Sequence, residues 1–200
     1  MNLLNYWNNS ISLSKYFELH AYQAKNNETS GENQSEDLIR YTKLNNSRSK
    51  RSLKQITLPT IPEEVLKLDK EINLLIITET WCGDSAQVLP VFAKLEEAIP
   101  NLKAKVTWRD ANPELIDAYL TNGGRSIPKI VAFDSEGKEL FTWGPRPAKA
   151  QELVMAYKHK AEPKESYDEF SIQLQNWYNT NGGNDIAKEI YSLLQTIYAF

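Results

Sequence analysis

One short run, INLLIITET (72–80), constrains the fold more than any other stretch of this chain. It is rich in β-branched and leucine side chains and shows no polar–apolar alternation. A strand buried on both faces reads this way, because neither side of its pleat meets water. Such a strand needs covering layers above and below it, and the residues downstream supply them. A helix is expected from Gly83 to about Ile99, then a strand at AKVTWRD (104–110) and a helix at PELIDAYLTN (113–122), with Pro113 suited to its first turn. KIVAFD and KELFTW follow as two strands joined through Ser135, Glu136 and Gly137, a hairpin signal. Strand, helix, strand, helix and hairpin together imply an α/β fold with a mixed sheet flanked by helices.

The regions on either side have a different texture. Residues 1–58 read as a helical, polar N-terminal extension, broken by the loop NNETSGENQS (26–35). Before the loop, Leu13, Tyr16, Phe17 and His20 recur at helical spacing; after it, a helix is expected from Ser35 to about Leu53. Residues 59–160 form the central α/β domain, and 161–200 read as C-terminal helices packed on it. There, one segment carries Phe170, Ile172, Leu174 and Trp177, and the next has Ile186, Ile190, Leu193, Leu194 and Ile197 along one face.

Charge and cysteine content narrow the function. The chain has 200 residues, 23 lysines and arginines against 26 acids, a formal charge of −3 and one cysteine. That balance offers no general attraction to nucleic acid or anionic lipid, and one cysteine excludes an internal disulfide framework. Residues 1–10, MNLLNYWNNS, lack the basic and apolar parts of a signal peptide, and no apolar run could span a bilayer. A cytoplasmic protein that binds neither membrane nor nucleic acid is expected. The two histidines, His20 and His159, have no metal-ligand spacing, so no metal is expected.

The lone cysteine lies in ETWCGDSAQVLP (79–90), where the buried strand ends and a helix begins. Unpaired N–H groups and the helix dipole at that junction favour a thiolate, the reactive form. Trp81 supplies a flat wall beside Cys82, and Gly83 leaves room for an approaching partner. Asp84 acts the other way, since a nearby carboxylate disfavours a second negative charge. Pro90 falls inside the helix and is expected to kink it.

WCGDS (81–85), Pro90, and RSIPK (125–129) with Pro128 resemble the thioredoxin family over residues 60–160. Asp110, Asn112 and Pro113 fit the same pattern. QSEDLIRYTKLNNSR, TNGGRSIPK and TWGPRP resemble a bacterial thioredoxin-like branch with a helical N-terminal extension. The resemblance implies a thioredoxin-like fold, Cys82 as nucleophile, and a cis bond between Ile127 and Pro128, leaving the Ile127 backbone to pair with a substrate strand. It implies no metal or organic cofactor.

Two positions depart from the family pattern. Ser85 stands where a second cysteine would be, and Ile76 where a buried acid would be. Losing both is self-consistent, because that acid serves the second thiol. The expected activity is therefore thiol–disulfide exchange by a monothiol route at Cys82: reduction, isomerisation or deglutathionylation. Ser85, Asp84, Gly83 and Trp81 would shape the thiolate. A second thiol, glutathione or another small thiol acting as co-substrate, or a cysteine of a protein client, must release the mixed disulfide. The alternative is a redox-inactive thioredoxin-fold module that binds a protein partner.

Three arginines extend the candidate site. Arg48 falls between Tyr41 and Leu44 on the apolar side of its helix, where an arginine needs an anion: a protein carboxylate or a ligand. Arg125 and Arg146, in GGRSIPK and GPRP, join a substrate-binding site if their loops converge on Cys82.

Overall fold

The computed structural model describes residues 1–197. Its centre is β2 (Ile72–Thr78), every residue of which is buried. Ile72, Leu74 and Ile76 enter one hydrophobic cluster and Leu75 and Ile77 another, as the two-residue side-chain period requires. Parallel to β2 runs β3 (Leu102–Trp108), and antiparallel to it, on the other side, β4 (Lys129–Asp134). The hairpin partner β5 (Glu139–Trp143) pairs with β4, and a two-residue strand β1 (Ile11–Ser12) caps β3 antiparallel. The sheet order is β1-β3-β2-β4-β5.

The parallel pair demands a crossover, supplied by α5 (Ser85–Ala98). Its Val88, Leu89, Val91, Phe92 and Leu95 are fully buried, each contributing about 1.5–3 kcal/mol by leaving water. The same cluster takes side chains of α2 (Leu13–Asn26), α8 (Tyr167–Asn181) and α9 (Asn184–Ile197). The opposite face is covered by Leu3 of α1 (Leu3–Asn8) and by Leu115 and Ile116 of α6 (Pro113–Asp117). The remaining helices are α3 (Glu36–Gln55), α4 (Glu63–Leu66) and α7 (Ala148–His159). This is a mixed five-stranded sheet flanked by helices, with helical segments before and after it.

Several local expectations are corrected. The helix expected over 113–122 stops at Asp117, and the short α1 and β1 carry no sequence period to reveal them. Ile172 points away from the core and is 62% exposed. The last residues of the expected C-terminal helix, 198–200, lie outside the described residues.

The largest correction concerns α3. Its buried residues are Thr42, Asn45, Ser49 and Ser52, not its apolar ones, and Leu44 is 43% exposed. That polar face meets α2, α5 and the end of β2 through hydrogen bonds. Ser49 Oγ donates to the Ala86 carbonyl (3.1 Å) and Ser52 Oγ to Gln87 Oε1 (2.9 Å). Asn45 Nδ2 reaches the Thr80 carbonyl at 3.4 Å, and the Thr29 and Thr42 hydroxyls lie 2.6 Å apart. Thr80 Oγ1 donates in turn to Gln23 Oε1 of α2 at 2.9 Å.

His20 belongs to the same seam. Its Nε2 donates to the Thr42 carbonyl at 3.0 Å, which leaves Nδ1 buried without a partner. Burial lowers its pKa from 6.5 to about 4, the Thr42 carbonyl opposes that shift, and Lys50 adds to it. A base with a depressed folded pKa contributes stability that is present above pH 6.5 and lost as pH falls towards about 4. The gap of about 2.5 units corresponds to about 3 kcal/mol. Urea midpoints measured from pH 7 to pH 4 should fall less steeply in His20→Gln than in the parent chain. Equal slopes would show that this ring does not carry the acid sensitivity.

Candidate functional site

Cys82 sits just after β2, with its N–H bonded to the Glu79 carbonyl at 3.2 Å, and α5 begins three residues later. The residue is 7% exposed, and its S–H donates to the Ile127 carbonyl at 3.3 Å. The Ile127–Pro128 peptide is cis, and both residues are buried. Above the thiol lies a groove of about 510 Å³, in the range of about 300–1,000 Å³ that small ligands occupy. Trp81, Cys82, Gly83, Asp84 and Ile127 line it, and so do Arg48, Arg125 and Arg146. Ser85 lies beneath the groove, fully buried, with its hydroxyl against Thr78 Oγ1.

Each side chain has a definite setting. Trp81 is half-buried under the Arg109 guanidinium, 4.7 Å from the ring centre. Gly83 opens onto the groove; an added Cβ would stand 3.8 Å from Arg48 Nη1 and from Gln175 Nε2, ordinary contacts. Asp84 is the N-cap residue of α5 but makes no capping bond. Its carboxylate turns outward instead, accepting from Tyr178 Oη at 2.8 Å and pairing with Arg146 Nη2 at 2.6 Å. Arg125 is committed to Asp117 through two bonds of 2.6 Å and is exposed. Among the described residues Arg48 has no carboxylate within ion-pair distance, and its Nη1 donates to the neutral Asn45 Oδ1 at 3.0 Å. Burial, and then Arg51, pull the Arg48 pKa down.

Two forces compete at the thiol. The α5 terminus, the Ser85 hydroxyl and N–H, and the Arg146 charge favour a thiolate. Burial and then Asp84 disfavour it, and they win: the Cys82 thiol is pushed up to about 11. The thiol therefore rests as S–H.

Sequence reasoning missed several participants. Tyr178 fixes Asp84; burial, then Asp84, raises its own pKa well above the usual tyrosine value. Tyr167, Lys158 and Gln175 form the far wall. They come from α7 and α8, far along the chain, and no spacing rule connects them to Cys82. A capping box between Ser166 and Glu169 sets the start of α8 and hence Tyr167. A buried acid also exists, three residues before the cysteine: Glu79, with Oε1 accepting from the Asp110 N–H at 2.9 Å. Burial pushes its carboxyl up against the opposing hydrogen bonds from Ser30 and Asp110. The TET stretch (78–80) contained it in plain view, but it is displaced from the position the resemblance pointed to.

A family model described as Thioredoxin matches residues 31–162. The chain belongs to the thioredoxin family. The match opens inside the N-terminal region, and its residues take in α3 as well as strands β2–β5. A search of curated proteins found no match. Among solved structures, the crystal structure of an HIV epitope-scaffold superposes with a TM-score of 0.62 at 16% identity, over 98% of this chain and 99% of that one. A protein of unknown function from Pseudomonas aeruginosa gives a TM-score of 0.46 at 16% identity, over 70% and 85% of the two chains. The first of these likenesses shows a fold shared over nearly the whole length of both chains. Among the described residues no helix is long and apolar enough to cross a membrane, and no cluster of three or more His, Cys, Asp or Glu side chains could hold a metal.

Proposed function

We propose that this thioredoxin-family chain works as a binding module, capturing an extended segment of a partner protein in the groove above Cys82. The observation that supports this reading is the state of the thiol: sheltered, donating to Ile127, and pushed up to about 11. At pH 7 such a thiol is ionised in about one molecule in ten thousand, against a few per cent for an ordinary cysteine near pKa ~8.5. That is about 300-fold less thiolate. The more basic sulfur regains about tenfold in nucleophilicity, since the rate follows basicity with a slope of about 0.4–0.5. A deficit of about 30-fold remains before the steric shelter is counted.

A second reading keeps thiol–disulfide oxidoreductase activity by a monothiol route. It draws on the Ser85 hydroxyl, the Ser85 N–H and Arg146, all of which favour the thiolate. Exchange would then form a mixed disulfide with a client, released by glutathione, another small thiol or a client cysteine.

The pH dependence of Cys82 alkylation separates the two. The module reading expects slow alkylation that rises through pH 9 and beyond, with a large acceleration on unfolding. A midpoint near pH ~7 with ready capture of an aromatic disulfide would establish exchange and end the module reading.

A further inference from the structure

The charges around the groove do not balance. Its lining holds Arg48, Arg109, Arg125, Arg146 and Lys158 against the single carboxylate of Asp84. Three of the five are neutralised within the fold: Arg109 by Asp110 at 2.7 Å, Arg125 by Asp117 at 2.6 Å and Arg146 by Asp84 at 2.6 Å. Among the described residues neither Arg48, hydrogen-bonded to the neutral Asn45, nor Lys158 has a carboxylate within ion-pair distance, and the Asp84 charge that Arg48 feels is already paired with Arg146. Arg48 is half-buried, where a cation is costly unless an anion meets it. Arg146 adds a buried Nε–H with no partner. Arg48 stands on α3 and Lys158 on the last turn of α7, so the two open charges come from different elements.

Between them the lining is apolar and aromatic. Leu38 and Tyr41 belong to α3; Val154 to α7; Tyr167 and Phe170 to α8. Tyr167 is 64% exposed although its ring borders the groove, so its apolar surface is available to a ligand.

We infer that the groove takes an acidic peptide segment, one whose carboxylates meet Arg48 and Lys158 while apolar side chains pack between them. This rests on the module reading and names its partner by chemistry. A volume of about 510 Å³ holds a few residues rather than a folded domain. Both open cations face one concave site instead of forming a surface stripe, and the chain as a whole carries −3, which does not suit a nucleic-acid backbone. Arg48 supplies a planar fork for a carboxylate, Lys158 a mobile point charge.

The test is fluorescence anisotropy of the full chain with a labelled, cysteine-free hexapeptide of alternating glutamate and phenylalanine. Its twin carries glutamine for every glutamate, and a labelled oligothymidylate of ten nucleotides serves as the third probe. The glutamate peptide should bind at least about tenfold more tightly than the twin, and weaken as salt rises from about 50 to about 500 mM. Arg48→Gln and Lys158→Gln should each cost about three- to tenfold, with most of the advantage gone in the double variant. Thermal melts matching the parent would show that the variants fold. Equal binding of the two peptides, or unchanged affinity in the double variant, would overturn the acidic preference. So would tighter binding of the oligothymidylate than of the glutamate peptide. Because no probe has a thiol, these outcomes stand apart from exchange. A low Cys82 pKa would end the module reading while leaving the acidic preference intact.

Discussion

Asp84→Asn will make Cys82 alkylate faster at pH 8, by about threefold: the apparent thiol pKa should fall by about one unit, giving about tenfold more thiolate of about threefold lower nucleophilicity. The substitution removes the negative charge that stands second among the causes of the raised pKa. It also releases Arg146, now paired to Asp84 at 2.6 Å, to act on the sulfur. Asparagine keeps the volume, and its Oδ1 can still accept from Tyr178. Burial, the largest cause, stays, so the pKa should not fall to the value of an exposed thiol. Arg146 loses its counter-ion, which should destabilise the fold by about 3 kcal/mol, the low end for breaking a buried pair, because it keeps Gln151. An alkylation profile superimposable on the parent's would mean that Asp84 does not hold the thiol down, and that burial alone does.

Gly144→Ala should be the more damaging change to the fold. Gly144 has φ +108°, a region that L side chains avoid, and an added Cβ would fall 2.4 Å from the Pro128 carbonyl oxygen. Backbone strain costs about 1–3 kcal/mol and the clash another 1–3 kcal/mol, since neither partner is a flexible side-chain end. A loss of about 4 kcal/mol should lower the melting temperature by about 8–16 °C in a chain of this size. Gly123→Ala is the control: its φ is +76°, but nothing lies within 4 Å of the added Cβ, so only the conformational cost of about 1 kcal/mol applies. Equal losses in the two variants would show that the close approach to Pro128 is not the constraint. The site shares in the outcome, because Gly144 packs against Pro128, just before β4, and leads into the loop carrying Arg146.

The central sheet was legible because its signals are physical and local. The run at β2 is apolar from Leu74 to Ile77, α5 starts soon after that strand ends, and the β4–β5 hairpin has turn residues between two strand-like stretches. On α3 the same logic failed. Apolar periodicity points to the side of Tyr41 and Leu44, yet the buried face is Thr42, Asn45, Ser49 and Ser52. Hydrogen bonds replaced hydrophobic burial there, and no pattern in hydropathy records which hydroxyl will find a partner. The apolar residues so displaced, Leu38 and Tyr41, became part of the groove wall. The charge imbalance at the groove could not be seen from sequence for a related reason. Five cations and three carboxylates decide it, and their pairing, such as Arg125 with Asp117 or Arg109 with Asp110, depends on side-chain directions that spacing does not fix.

The seam under α3 also governs how firmly the groove is gauged. A greasy helix face can creep along its neighbour by a fraction of a turn, because one dispersion contact substitutes for another. The α3 face cannot creep. Asn45 holds Arg48 with one end of its amide and the Thr80 carbonyl with the other, and Ser49 and Ser52 are keyed to single acceptors on α5. A shift by one residue would strand several of these groups at about 1–3 kcal/mol each. The helix is an indexed arm, and a new side chain at position 48 would retune the groove without moving the arm that carries it.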